Sequence, residues 1–310
     1  MTQSAVDQIL AALWVDVKEF AVCEFVAGSA IKIRPLDEIE VHFVLSGTLF
    51  LALDGEDILE LPKGGVALVP PGVGQTMAGS AAAAHVFAPA ETCRRRSDGL
   101  LHYDATMGET GSVLVACGQI KADIAGSFGP FDGLRHAICS ELGDVPLVRR
   151  AFETMLEETD TPVLGSRGLV GALMKSCLIL ALRRHAQKHG SRQTLPGLFD
   201  HPSLARAVAG VIDDPAATHT LNQLARTAGM SRSKFAKVFA ETMAATPMEF
   251  VARTRLDQAR NLLISTDLPV STIATRVGFG SRSHFSRAFR DRFGLDPSSM
   301  RKSGVAGDPQ

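Results

Sequence analysis

Two short segments of the chain carry basic and small polar side chains at matching positions. The first begins at Ser231 and the second at Ser281, and each contains two phenylalanines four residues apart. Lysine, arginine, serine and histidine side chains can hydrogen-bond the phosphates and the base edges of DNA. The candidate DNA-contacting residues are Arg232, Ser233, Lys234 and Lys237 in the first segment, and Arg282, Ser283, His284, Arg287 and Arg290 in the second.

These segments belong to an internal repeat. Phe285 follows Phe235 by 50 positions and Gly278 follows Gly229 by 49, so the second copy has one extra residue in its turn. Apolar residues before each glycine recur at i, i+3, i+4 and i+7, which predicts a helix that ends at the glycine. A serine shortly after the glycine suits the N-cap of a second helix. The repeat therefore predicts two helix-turn-helix units, with two helical hairpins carrying solvated Lys and Arg as the structural alternative.

The segment Met248–Thr266 predicts a helix that connects the two units. Its 19 residues would span about 28 Å, close to the ~34 Å repeat of B-DNA. Over residues 201–303 the repeat resembles the AraC/XylS family of bacterial transcription regulators, most densely in IATRVGFGSRSHFSRAFRDRFGLDP. This resemblance implies double-stranded DNA as a partner, with the two units on successive major-groove faces. It also implies an activator that works through RNA polymerase, although repressors exist on the same scaffold.

The distribution of charge agrees with DNA binding by one part of the chain only. The full sequence of 310 residues has a net charge of −1, but residues 201–310 contain 15 Lys and Arg against 9 Asp and Glu. Residues 1–200 contain 17 basic against 24 acidic side chains, so the two parts carry +6 and −7. A basic C-terminal part suits a polyanionic partner.

No targeting or membrane segment is expected. The N-terminus lacks a basic region followed by an apolar run, so it does not predict a signal peptide. The most apolar stretch, residues 168–182, contains Lys175 and is shorter than the about 20 residues that a spanning helix needs. We therefore expect a cytoplasmic protein. Its five cysteines are odd in number and widely spaced, so they predict neither a disulfide framework nor a zinc site.

The first half of the chain predicts many short strands after a helix over residues 1–15. The dipeptide Asp54-Gly55 is typical of a hairpin turn, and the strand spacing suggests a small sandwich or barrel. The expected strands are Ala21–Val26, Ile31–Arg34, Glu40–Leu45, Thr48–Leu53, Asp57–Leu61, Val66–Val69 and Ser112–Ile120.

This half resembles a cupin barrel. Residues at the motif positions that carry this likeness are Glu40, Gly47, Gly64, Pro70 and Gly72.

The metal ligands of that motif are largely replaced in this chain. The three histidines of the cupin motifs would fall at Arg34, Leu36 and Gln75, and only Glu40 remains of four ligand positions. One carboxylate does not hold a transition metal, so we expect no metal, no cofactor and no enzymatic activity. His42 lies nearby, but a lone histidine on a strand is more often a packed or surface residue than a ligand.

Beyond residue 145 the pattern becomes helical. Pro146–Glu158 and Gly165–His189 predict two helices, and the wide apolar surface of the second suits either burial against the barrel or a homodimer contact. The expected fold class is α+β multidomain, with an N-terminal cupin-like β-barrel, flanking helices, and a C-terminal all-α domain with two helix-turn-helix units. The expected boundaries are 1–145 for the sensing domain, 146–190 for a dimerisation segment, 191–200 for a linker and 201–303 for the DNA-binding domain.

Three functions remain open from the sequence. The first is a transcription regulator controlled by a small molecule that binds the N-terminal domain. The second is a regulator that senses oxidants through Cys23, Cys93 or Cys117. The arginines that follow Cys93 would favour its reactive thiolate form if they surround it. The alternative for these cysteines is burial as packing residues or a solvated loop position. The third is a cupin enzyme with a DNA-binding appendage, against which the missing histidines argue.

Overall fold

The computed structural model describes residues 2–95, 100–124, 131, 136–189, 202–243 and 245–305. These residues divide into two compact units. The first unit is drawn from Met1–Trp14, Asp123–Gly129 and Gly197–Gln310, and the second from Val15–Ala122 and Pro130–Pro196. The expected linker over 191–200 lies outside the described residues.

The second unit is built on two β-sheets. In the described part of the chain, one sheet has seven strands in the order β12-β6-β3-β11-β1-β10-β9, and the other has five in the order β5-β4-β7-β2-β8. The strands are β1 Leu13–Phe25, β2 Ser29–Ile33, β3 Ile39–Ser46, β4 Thr48–Leu53, β5 Leu59–Pro62, β6 Gly65–Val69, β7 Gln75–Ala78, β8 His85–Phe87, β9 Cys93–Arg95, β10 Leu101–Ala105, β11 Val113–Ile124 and β12 Ile138–Glu141.

Two open sheets replace the single closed barrel that the sequence suggested. The chain passes from β3 in one sheet to β4 in the other at Gly47, whose φ is +74°. A Cβ at this position would lie 2.4 Å from the carbonyl oxygen of Ser112, so only glycine fits. The hairpin predicted at Asp54-Gly55 is confirmed, since β4 and β5 pair in antiparallel register.

The core of this unit lies between the two sheets. In β4 every second side chain is buried, and Leu49, Leu51 and Leu53 face inward. They belong to one apolar cluster with side chains of the seven-stranded sheet, among them Val44 and Val115. Alternation with a period of two therefore gives each strand one face for the core.

Among the described residues of the second unit there are also three helices: α2 Pro89–Thr92, α3 Pro146–Asp160 and α4 Ser166–His189. The helix α3 packs against α4, and α4 covers β12, where the hydroxyl of Ser140 donates to the carbonyl oxygen of Ala181 at 2.9 Å. The ring of Phe152 stacks on that of Phe43 with centroids 4.5 Å apart. Both long helices were predicted from the sequence and are confirmed. Exposed apolar side chains remain on the two helices, at Leu147 and Leu169, and in the loop between them, at Val163 and Leu164.

The first unit is helical in the described residues that follow residue 201. Its helices are α5 Pro202–Asp213, α6 Leu221–Thr227, α7 Arg232–Met243, α8 Pro247–Ser265, α9 Val270–Arg276, α10 Arg282–Phe293 and α11 Pro297–Val305. The N-terminal helix α1, Thr2–Ala11, also belongs to this unit and packs against α5.

The sequence predicted this N-terminal region only in part. The helix ends at Ala11 and not near residue 15, and β1 begins already at Leu13. The side chains of Ala5, Val6 and Ile9 are buried, which accounts for the helical apolar spacing of this segment. No helix among the described residues is long and apolar enough to span a membrane.

Candidate nucleic-acid interface and cavity

The helices α7 and α10 have the same local construction. The backbone N–H of Lys234 donates to Ser231 Oγ at 3.4 Å, and that of His284 donates to Ser281 Oγ at 3.2 Å. Both serines therefore occupy the cap position that the sequence predicted. Positions 231–240 and 281–290 also share one pattern of burial, in which Phe235 and Phe239 of α7 and Phe285 and Phe289 of α10 face the core.

The remaining faces of these helices carry the candidate DNA-contacting residues. All nine are solvent-exposed: Arg232, Ser233, Lys234, Lys237, Arg282, Ser283, His284, Arg287 and Arg290. Two of them have intramolecular ion-pair partners, because Lys237 Nζ lies 3.9 Å from Glu241 and Arg290 Nε donates to Asp296 at 2.9 Å. His284 packs edge-on against Phe279. Within the described part of the chain, Arg287 has no ion-pair partner, so its guanidinium is available to another molecule.

The turns before these helices depend on glycine. Gly229 has a φ of +61° and Gly278 a φ of +86°, the left-handed conformation that was predicted for helix ends. In each turn the next residue donates its N–H to a carbonyl five positions back at 2.9 Å. At Gly278 a Cβ would also lie 2.9 Å from the carbonyl oxygen of Ala216 and 2.9 Å from Arg255 Cζ. The turn at Gly278 therefore requires glycine for two reasons: its φ is positive, and a Cβ would collide with Ala216 and Arg255.

Arg255 on α8 holds three loop carbonyls with one guanidinium. Its Nε donates to Pro215 at 2.8 Å, Nη2 to Ala217 at 2.9 Å and Nη1 to Gly278 at 2.9 Å. The first two carbonyls precede α6, and the third lies in the turn before α10. Burial lowers the pKa of Arg255, but an arginine remains charged at neutral pH. Arg255 thus connects α8 to the helix pair α6 and α7 on one side and to the helix pair α9 and α10 on the other.

Arg292 on α10 forms a half-buried ion pair with Asp257 on α8. Its Nη2 lies 2.6 Å from Asp257 Oδ2. Burial raises the pKa of Asp257, and the charge of Arg292 opposes that rise. The pair fixes the second helix pair on α8, and Arg292 therefore differs from the exposed arginines of α10 in having a structural role.

A cavity of about 450 Å³ lies in the second unit and is lined from both sheets. Much of its wall is apolar, including Ala21, Ile31, Met77 and Leu101. The lining also includes Arg34, Leu36 and Glu40, which occupy three of the four positions expected for cupin ligands. The positions of the cupin ligands thus border a cavity whose wall is largely apolar, which is usual for small-molecule sites.

The fourth position, Gln75, joins a buried chain of hydrogen bonds. Its Nε2 donates to Glu40, and its Oε1 lies 2.9 Å from His42 Nε2. Because Gln75 Nε2 donates to Glu40, the amide oxygen Oε1 is the atom that accepts from His42. The other ring nitrogen of His42, Nδ1, lies 3.3 Å from Cys117 Sγ and accepts from it in a neutral imidazole. Among the described residues, no group of three or more His, Cys, Asp or Glu side chains is arranged to hold a metal ion.

The structure brings two of the three candidate cysteines together. Cys23 Sγ on β1 lies 3.1 Å from Cys117 Sγ on β11, and both line the cavity. Burial raises the pKa of the Cys117 thiol, and the neighbouring Cys23 adds to that rise. Cys93 lies apart on the exposed strand β9, opposite Tyr103.

Sequence reasoning missed the contacts around these cysteines. Tyr103 was not singled out, although it pairs with Cys23 on β1 and with Cys93 on β9. His42 is a packed residue, one of the two outcomes that the sequence predicted, since its side chain is only 1% exposed. Its contact with Cys117 was not predicted, because it depends on a pairing of β3 with β11 that the sequence does not show.

Two family models match the chain. One, described as Cupin, matches residues 5–187, and the other, described as Helix-turn-helix domain, matches residues 224–303. The first of these covers more than half of the chain.

Individual relatives are regulators by name. The chain is 25% identical to the transcriptional regulator MtrA of Neisseria gonorrhoeae over 85% of this chain and 86% of that one. It is 28% identical to the "RCS-specific" transcriptional activator RclR of Escherichia coli, over 50% of this chain and 55% of that one. The chain therefore spans about half the length of that relative, and the same holds for a Haemophilus influenzae regulator.

Among solved structures, the chain is similar to an AraC-type regulator from Chromobacterium violaceum, at 25% identity and a TM-score of 0.34. That match covers 36% of this chain and 98% of the other. Since the family models account for both the sheet-rich and the helical part of the sequence, the chain belongs to the AraC family of transcription regulators and carries a cupin domain on its N-terminal side.

Proposed function

We propose that the protein is a sequence-specific DNA-binding transcription regulator in which α7 and α10 are the recognition helices. The observation that carries this proposal is the shared construction of the two helices. Each is capped by a serine, buries two phenylalanines and exposes basic side chains at positions 50 residues apart. Helices that expose basic and small polar residues after a short turn are suited to the major groove.

The connecting helix sets the distance between the two recognition helices in this proposal. The helix α8 has 19 residues and so is about 28 Å long. Recognition helices that read one face of B-DNA are about 34 Å apart, which a helix of this length approaches. Both helix pairs then act as helix-turn-helix units within a DNA-binding domain at 201–303, and the cupin domain at 1–145 senses the signal.

The cavity is the proposed effector site. Its volume of about 450 Å³ and its largely apolar wall suit a small, mainly apolar organic molecule. Arg34 lines this cavity and is exposed, so it is available to an acidic group on such a molecule. The protein would act as a regulator and not as an enzyme, because the ligand positions that a metal cupin uses are Arg34, Leu36 and Gln75 here.

Further partners follow from the same proposal. The exposed apolar side chains on α3, on α4 and in the loop between them suit contact with a second copy of the chain, giving a homodimer. RNA polymerase is the partner that an AraC-family activator would engage, and the cytoplasm is where both DNA and polymerase occur.

The DNA-binding part of the proposal is tested with matched arginine variants. Arg287→Ala should weaken binding to the specific site by about 10- to 100-fold and relax preference at one base pair, because arginine can bond guanine O6 and N7 together. Arg150→Ala removes an equally exposed arginine from α3 and should leave affinity unchanged. Equal affinity and equal base preference for both variants and the wild type would exclude α10 from the groove.

The cavity part is tested with anilinonaphthalene sulfonate, a fluorescent probe that has an apolar ring system and one anionic sulfonate. We expect saturable binding by the full chain that is lost in Ile33→Trp, since Ile33 lines the cavity. The control is Ile58→Trp, which places the same bulk at an exposed position away from the cavity. Retained binding in Ile33→Trp would show that the probe binds elsewhere and would remove the cavity as the effector site.

A further inference from the structure

The thiols of Cys23 and Cys117 are close enough to react with each other. Their sulfur atoms lie 3.1 Å apart on neighbouring strands of the seven-stranded sheet. A disulfide needs about 2.05 Å between the sulfurs, so an approach of about 1 Å would form the bond. We propose that Cys23 and Cys117 form a reversible disulfide in the cavity wall when the protein meets a peroxide.

The surrounding hydrogen bonds orient the Cys117 thiol for this reaction. In a neutral imidazole whose Nε2 proton is donated to Gln75, His42 Nδ1 accepts the S–H of Cys117 at 3.3 Å. The Cys117 sulfur then accepts the S–H of Cys23, so its lone pairs face the Cys23 sulfur. A sulfur held in this orientation is positioned to attack Cys23 once Cys23 is oxidised.

The reaction is balanced in two steps. In the first, hydrogen peroxide transfers an oxygen to Cys23, which becomes a sulfenic acid as the O–O bond breaks and water leaves. In the second, the Cys117 sulfur attacks the Cys23 sulfur, the S–O bond breaks, and the departing hydroxide takes the thiol proton to leave as water. Two thiols and one peroxide thus give one disulfide and two waters, and a reduced dithiol reverses the change.

Cys93 is too far away to replace Cys117 as the partner. In the sheet, β10 lies between β1 and β9, and Tyr103 pairs with Cys23 on one side and with Cys93 on the other. Adjacent strands are about 4.8 Å apart, so the Cα atoms of Cys23 and Cys93 are separated by roughly 9–10 Å. A disulfide rarely spans more than about 7 Å between Cα atoms.

The same bond would change the proposed effector site. Both cysteines line the cavity, so a disulfide would join β1 and β11 across part of its wall. Oxidation would thereby alter the affinity of the cavity for its ligand. This last step rests on the proposed function, whereas formation of the disulfide does not.

The test measures the bond directly on the full chain. The reduced protein is treated with hydrogen peroxide, the remaining thiols are alkylated under denaturing conditions, and the intact mass and tryptic peptides are determined. Of the five cysteines, three should be alkylated after oxidation and all five after dithiothreitol. The crosslinked peptide should join Cys23 to Cys117. Alkylation of all five cysteines after oxidation, or a link from Cys23 to Cys93, would overturn the proposal.

Two variants sharpen this result. Cys117→Ser should form no disulfide and leave a sulfenic acid at Cys23 that dimedone traps. A variant with Cys93→Ser, Cys139→Ser and Cys177→Ser retains only the proposed pair and should still form the disulfide. Loss of the disulfide in this second variant would contradict the assignment even if Cys117→Ser does not fold. Neither readout depends on DNA, so a failure here is separate from a failure of DNA binding.

Discussion

Arg255 Nη1 donates a 2.9 Å hydrogen bond to the carbonyl oxygen of Gly278, in the turn that leads into α10. The same guanidinium holds the carbonyls of Pro215 and Ala217 before α6. Arg255 of the connecting helix therefore helps to set the relative placement of the two helix pairs. This contact explains how two short helix pairs, each too small to be stable alone, can share one fixed geometry.

Arg255→Lys should lower the stability of the helical unit. One ammonium group cannot satisfy three carbonyls that surround a planar guanidinium, so two charged hydrogen bonds are lost at a cost of roughly 3 kcal/mol. Amide hydrogen exchange of the peptides covering residues 270–293 measures this loss. The control is Arg226→Lys, at an exposed position of α6, which should leave exchange unchanged. Equal protection in Arg255→Lys and the wild type would show that the three bonds do not hold the turn.

Gly278→Ala should be more harmful than Gly229→Ala, although both turns have a positive φ. Alanine in this conformation costs about 1–2 kcal/mol at either site. Only at Gly278 does the added Cβ also meet the Ala216 carbonyl and the Arg255 guanidinium, each at 2.9 Å. At Gly229 no atom lies within 4 Å of such a Cβ. Thermal unfolding of the two variants in parallel should give the lower midpoint for Gly278→Ala, and equal midpoints would contradict the close approach.

Arg292→Met should destabilise the helical unit in a pH-dependent way. Without the guanidinium, the buried Asp257 carboxylate loses its countercharge, and its pKa rises further. A carboxyl whose pKa is raised in the folded state keeps its contribution to stability below its unfolded pKa of about 4. That contribution is lost as the pH rises through the folded pKa, because the unfolded chain releases the proton more easily. The variant should therefore unfold almost like the wild type below about pH 4, and be less stable by roughly 3 kcal/mol at pH 7.

Urea unfolding followed by circular dichroism at several pH values measures the Arg292→Met effect. The control is Arg292→Met combined with Asp257→Asn, in which the titrating carboxyl is absent and the difference between low and neutral pH should disappear. A loss of stability in Arg292→Met that is independent of pH would show that packing, and not the ion pair, is responsible.

The features that the sequence predicted well are those set by local chemistry. The repeat, the glycine turns before α7 and α10, and the serine caps depend on residues within a few positions of one another. The hairpin at Asp54-Gly55 and the helices α3 and α4 are local in the same sense. Period and turn chemistry were sufficient to place them.

The features that the sequence did not predict arise from pairing between distant segments. Nothing local at Cys23 indicates that it meets Cys117, because that contact depends on β1 lying beside β11. The three carbonyls bound by Arg255 come from loops about 20 to 40 residues away. The start of β1 at Leu13 was missed, because the apolar spacing of α1 continues into the strand.

The central claim is that α7 and α10 read DNA together, and a footprint of the full chain on the DNA flanking its own gene tests it most directly. The account predicts two protected major-groove segments about one helical turn, or roughly 10 base pairs, apart. Protection at one segment should be lost with Arg287→Ala, and protection at the other should weaken with Lys237→Ala. A single protected segment that both variants affect alike, or no protection at all, would contradict the account.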